Sequence, residues 1–180
     1  IDAGVETYTA KTFGPARYTI WTMVSSYHSL LPTIDGAEQL PGPEYMATDA
    51  SYSCNDDNAT VKLDIASAYG SDAGVESWSR EGALNRGSHI DVTDSYRLSK
   101  AASEIAVSFL TPCNVDISES GTIRLSRKDF GDGRQSGKGS VKYPSGRNIA
   151  CEKVQISDTN LSAVWGPELT RVVLKAEQPS

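Results

Sequence analysis

"HIDVTDSYRL", residues 89–98, sets Ile90, Val92 and Tyr96 at two-residue intervals among polar and charged neighbours. A strand turns successive side chains to opposite faces, so this spacing predicts extended chain with one apolar side. "EIAVSFL" at 104–110 repeats the pattern with Ile105, Val107 and Phe109. "VKLDI" at 61–65 turns Val61, Leu63 and Ile65 one way and Lys62 and Asp64 the other. "VDI", "TIRLS", "IACEKVQI", "LSAVW" and "LTRVVL" continue it towards the C-terminus. No stretch repeats apolar residues at three- and four-residue spacing long enough to predict a helix.

The runs are separated by "PGPEY", "SCNDDN", "YGSDAG", "REGALNRG", "SESG" and "FGDGRQSGKG", all rich in residues that accept turn dihedrals. Short strands between such breaks predict an all-β fold, an antiparallel β-sandwich. With no fixed-period repeat and no low-complexity linker, residues 1–180 read as one domain or a piece of one.

The chain has 180 residues, 38% hydrophobic and 22% charged, enough for a sizeable core. A formal charge of −6 argues against nucleic acid as a partner. No apolar run approaches the roughly 20 residues of a membrane-spanning helix, so no membrane partner is expected. The start, Ile1-Asp2-Ala3-Gly4, has neither an initiator Met nor the basic and apolar regions of a signal peptide, and reads as a mature or excised start. Cys54, Cys113 and Cys151 are odd in number and form no CxxC pair. They leave room for at most one disulfide and read as buried free thiols.

From Arg124 to Arg147 seven basic residues meet two acids, a local sum of +5 that leaves the remainder at −11. Such asymmetry fits a contact surface for a polyanion, with Arg134, Lys138 and Lys142 as candidate substrate-binding residues. It equally fits a solvated, mobile glycine-rich hairpin.

Several short motifs lack the context that would give them meaning. Asp129-Phe130-Gly131 has no accompanying kinase lysine strand or catalytic loop, and "SGKGS" lacks the order of a phosphate-binding loop. Asn58-Ala59-Thr60 and Asn160-Leu161-Ser162 fit the short glycan-acceptor pattern. No GxSxG elbow presents a serine nucleophile.

Only two histidines occur. His89 opens an alternating run with no evident chemical partner. His28 follows Tyr27 in "RYTIWTMVSSYHSLLPTIDG", residues 17–36, an aromatic and β-branched run that reads as a strand. On a strand the two side chains would face opposite ways, one to packing and one to a polar site.

That run sits within a longer ordered set: Asp2-Ala3-Gly4, Tyr8-Thr9, Arg17-Tyr18-Thr19-Ile20-Trp21-Thr22, Tyr27-His28-Ser29-Leu30-Leu31-Pro32, Ile34-Asp35-Gly36 and Gln39. The set resembles the β-sandwich segment of heparinase II/III-like polysaccharide lyases, and the likeness continues through "LDIASAYGSDAGVESWSR" and "RGSHIDVTDSYRL". Ser29 and Asp35 stand where that family carries Asn, and Leu31 looks inserted before Pro32.

The resemblance implies the C-terminal part of an enzyme that cleaves uronic-acid-containing acidic polysaccharides by β-elimination. It implies zinc, held by Asp2, His28 and a third ligand upstream of Ile1, so that the site in this chain is incomplete. It also implies an upstream α/α toroid of the same protein, carrying the Tyr and the Asn or His of the reaction. The chain alone is then expected to be inert, with no catalytic residue of its own, and to work in a bacterial periplasm or outside the cell. The alternative is a stand-alone, non-catalytic carbohydrate-binding sandwich.

Overall fold

The computed structural model describes residues 1–177; residues 178–180 lie outside the described part. In order, the strands are β1 (Pro32–Ile34), β2 (Thr48–Cys54), β3 (Asn58–Asp64), β4 (Val75–Asn85), β5 (His89–Leu98), β6 (Glu104–Thr111), β7 (Asn114–Asp116), β8 (Thr122–Ser126), β9 (Gly139–Lys142), β10 (Asn148–Gln155) and β11 (Glu168–Glu177). One α-helix, α1 (Thr159–Trp165), joins the last two. The all-β reading is therefore correct. The described residues divide into two compact units, one built from Ile1–Thr33 and residues 104–177, the other from Ile34–Ser103.

In the first unit a sheet of order β1-β6-β11-β10 faces a smaller sheet of order β7-β8-β9. Antiparallel register pairs Val172 with Phe109 and Leu174 with Val107, so these four side chains share a face. They pack with Ile123 of β8, while Leu125, Val115 and Val141 close the layer. Ile123 and Val172 are fully buried, and each such side chain contributes about 1.5–3 kcal/mol of hydrophobic stabilisation. The opposite face of the larger sheet offers Leu110 and Leu169 to Ala3, Ile156 and Leu161, with Trp21, Tyr27 and Trp165 around them. Because β6 is covered on both faces, it reads as a near-continuous apolar run.

The second unit is a meander of order β2-β3-β4-β5. Trp78 is buried, stacked 4.6 Å from Tyr96, and the neighbouring Arg80 makes a two-pronged pair with Asp94 at 2.7 and 2.6 Å. Burial pushes the Tyr69 hydroxyl pKa far up. Towards the far hairpins the apolar face opens: Val61, Val92 and Ile90 are 43%, 45% and 68% exposed, not buried as their alternation alone implies.

Three segments depart from the sequence reading. Residues 17–28 are not a strand. They form three 3₁₀ turns, Arg17–Thr19, Trp21–Met23 and Ser25–Tyr27, separated by the extended residues Ile20 and Val24 and closed by the extended His28. The ribbon has no sheet partner here, so its amides bond three residues back, as Ile20 to Arg17, Val24 to Trp21 and His28 to Ser25. "LSAVW" is not a strand but α1, whose first turn Asp158 caps by accepting from the Leu161 amide. "REGALNRG" is not a break, since β4 runs through it to Asn85 and turns only at residues 86–88.

Candidate functional site

Asp2 lies on a short N-terminal segment fastened to the first unit at several points. The Ile1 nitrogen donates to the Leu110 carbonyl at 2.8 Å, and Trp165 Nε1 donates to the Ala3 carbonyl at 2.9 Å. Further along, the Thr7 amide donates to Asp158 Oδ2, tying the segment to the cap of α1. Gly4, at φ 84, accepts the left-handed conformation that lets its amide reach back to Asp2 Oδ1 at 2.9 Å.

His28 is held from the other direction. The turn Ser25–Tyr27 is clamped onto β6 and β11 by Arg171, whose Nε and Nη2 both donate to the Ser26 carbonyl at 3.2 and 2.9 Å. The same guanidinium lies 4.7 Å from the centre of the Tyr27 ring and pairs with Glu152 at 3.0 Å. Ser108 Oγ also donates to the Ser26 carbonyl, at 2.8 Å. Tyr27 sets its ring edge-on to Trp21 at 5.5 Å. After His28, Leu30 takes φ 65 and gives its amide to the Ser108 carbonyl, swinging the chain into β1. Tyr27 is thus the packed neighbour and His28 the one that reaches the polar site.

The two ends meet. His28 Nδ1 is 2.6 Å from Asp2 Oδ2, and Ser29 Oγ donates to the Ile1 carbonyl at 2.9 Å beside them. Two turns of irregular backbone join these residues, not adjacent strands. The Gly4 amide, and then His28, hold the Asp2 carboxyl below the usual carboxylate range. Both side chains reach solvent, at 37% and 61% exposure for His28 and Asp2.

An imidazole nitrogen and a carboxylate oxygen are both zinc ligands, at about 2.0–2.2 Å. Neighbouring ligands on a tetrahedral ion lie roughly 3.3 Å apart, so the pair would open by well under 1 Å from its hydrogen-bonded distance. Among the described residues no three His, Cys, Asp or Glu side chains gather to hold a metal. The residue types fit zinc, and these two supply half of a tetrahedral set.

The other candidates separate. Arg134 lies between Asp132, 2.7 Å from its Nε, and the end of α1, where Nη1 and Nη2 donate to the Val164 and Ala163 carbonyls at 3.1 and 2.8 Å. Its guanidinium also covers Phe130 at 5.4 Å. Arg124 pairs with Glu119. Lys138 and Lys142 are exposed. The glycine-rich loop is braced internally, with Ser136 accepting from the Lys128 amide and donating its own amide to the Lys128 carbonyl. All three cysteines are free, but Cys54 and Cys151 are exposed and Cys113 half-buried, so they are not buried core thiols.

His89 is the residue that sequence reasoning missed. It has partners on both ring nitrogens, from Ser88, Asn85 and Asp91. The signal was present as a Gly-containing turn between Asn85 and His89, since a short hairpin brings its flanking residues opposite one another.

No protein-family model matches the chain, and no curated protein matches it either.

Proposed function

We propose that this chain is the β-sandwich portion of a heparinase II/III-like polysaccharide lyase, acting by β-elimination on an acidic polysaccharide that contains uronic acid. One observation carries the reading. Asp2 and His28, the residues that the resemblance pairs at a metal, lie 2.6 Å apart although 26 positions separate them. Two unrelated turns and at least four backbone anchors combine to produce that contact, which favours a built site over a chance surface pair.

In this reading Asp2 Oδ2 and His28 Nδ1 hold zinc together with a ligand from elsewhere in the protein. Bound there, the ion would supply a rigid cross-link between the N-terminal segment and the turn before β1, and a local positive charge. The chain's own residues do the rest by placement: Arg171 fixes the turn that presents His28, and Gly4 orients the carboxylate. Lys138 and Lys142, exposed near the loop, favour a polyanion within a Debye length of about 8 Å. Arg134 serves the fold instead. Neutralisation of the uronate carboxylate by an Asn or His, removal of the C5 proton by a Tyr or His and protonation of the leaving oxygen by the Tyr belong to the rest of the same protein, an α/α toroid above all, in a periplasmic or secreted setting.

The test uses the product of the complete reading frame, incubated with heparan sulfate, alginate and other uronic-acid polymers. Ultraviolet absorbance from the unsaturated product is expected with one of them, reduced by at least tenfold in His28→Ala. No absorbance with any polymer overturns the lyase reading and leaves a carbohydrate-binding module.

A further inference from the structure

We infer a second divalent-metal site at the tip of the β4–β5 hairpin, formed by His89, Asp91 and Asn85. It belongs to the Ile34–Ser103 unit and does not depend on the lyase reading.

The turn at residues 86–88 creates it. Gly87 adopts φ 73 and the Ser88 amide returns to the Asn85 carbonyl at 3.0 Å, so Asn85 and His89 become direct cross-strand partners. Asp91 lies two residues further along the same strand and so on the same face. His89 Nε2 is 3.0 Å from Asp91 Oδ2, and the terminal amide of Asn85 is 3.2 Å from each of them. Three side-chain heteroatoms from three residues therefore form a nearly equilateral triangle.

That triangle has the size of one face of a metal's coordination shell. Donors about 2.0–2.1 Å from a tetrahedral or octahedral ion are separated by roughly 2.9–3.4 Å. An ion seated slightly above the plane reaches all three without backbone movement. Asn85 contributes its carbonyl oxygen after a half-turn of the amide, which exchanges the two terminal atoms in place. The donor set, one imidazole, one carboxylate and one amide oxygen, suits a borderline divalent ion such as zinc, with its remaining positions open to water.

The outer contacts agree. Ser88 Oγ lies 2.8 Å from His89 Nδ1. When Nδ1–H donates to that hydroxyl, Nε2 is left with its lone pair directed at the triangle, as a ligating imidazole needs. In that tautomer Nε2 and the Asp91 carboxylate are two acceptors 3.0 Å apart, bridged by the two hydrogens of the Asn85 amide nitrogen, and a cation between them can take the place of that bridge. The same residues make a poor serine nucleophile, because His89 and Asp91 are each 58% exposed and their charges stand in high dielectric.

The test uses the full chain carrying His28→Ala, so that His89 is its only histidine, with retained folding checked by circular dichroism. Zinc is titrated while the imidazole ¹⁵N resonances are followed. Saturable movement of the Nε2 signal at one equivalent is expected, weakened roughly tenfold or more by Asp91→Asn and several-fold by Asn85→Ala or Ser88→Ala. An Nε2 signal unmoved at millimolar zinc, or equal affinity in Asp91→Asn, overturns the site.

Discussion

His28 Nδ1 stands 2.6 Å from Asp2 Oδ2, and the Gly4 amide bonds the other oxygen of the same carboxylate. Both contacts favour the ionised form, so the Asp2 pKa is lower in the folded chain than in the unfolded one. A depressed carboxylate stabilises the fold above its unfolded pKa, near 3.9, and that contribution disappears as pH falls through the folded value. The pair is largely exposed, which limits the effect to under about 1 kcal/mol. Urea unfolding should show Asp2→Asn less stable than wild type at pH 7 and equal to it near pH 2. An equal difference at both pH values contradicts this.

Arg171 is the clamp behind His28. Its side chain is 16% exposed, bonds the Ser26 carbonyl twice and donates from Nε to Ser108 Oγ at 3.2 Å, so Arg171→Met leaves that carbonyl and that hydroxyl short of a charged donor. A loss of about 1.5–3 kcal/mol is expected in chemical denaturation, with broadened His28 resonances as the Ser25–Tyr27 turn loosens. Wild-type stability would remove the clamp from the account.

Trp165 holds the opposite side of the site through its bond to the Ala3 carbonyl. Trp165→Phe keeps most of the packing and deletes one hydrogen bond, for a cost of about 1 kcal/mol. Amide exchange should speed up at Ala3 and Gly4 more than in β6. Uniform acceleration would point to general destabilisation instead.

Arg134 and its two neighbours should behave differently. Arg134→Ala releases the Ala163 and Val164 carbonyls at the end of α1 and should lower thermal stability, by up to about 1 kcal/mol, without a selective effect on polyanion retention. The double variant Lys138→Ala, Lys142→Ala should keep stability and elute earlier from immobilised heparin. The reverse pattern would return Arg134 to the binding surface.

The strands were legible where turn residues bound an alternating run, even where, as at Ile90 and Val92, the apolar face stays exposed. "TIRLS" and "HIDVTDSYRL" coincide with β8 and β5 to the residue. The helix was equally written, since Asp158 before the run and Gly166 at φ 84 after it are start and stop signals, but "LSAVW" is too short for its period to outweigh its β-branched and aromatic content. The ribbon from Arg17 to His28 was not legible. Tyr18, Ile20, Trp21, Thr22 and Val24 all favour strands, and only the lack of a sheet neighbour, a tertiary fact, turns their amides to local bonds. The contact between Asp2 and His28 could be named from the resemblance, whereas the cluster at His89 depends on a hairpin register that composition does not specify.

The central claim is that Asp2 and His28 act together as ligands. Its most direct measurement is a ¹⁵N NMR zinc titration of the product of the complete reading frame, which carries the third ligand, following the His28 imidazole as the signal that disappears in His28→Ala. Zinc should displace the shared proton and shift the Nδ1 resonance, with affinity falling at least tenfold in Asp2→Asn. An Nδ1 signal indifferent to zinc, or a shift confined to Nε2 and unchanged by Asp2→Asn, would contradict the account.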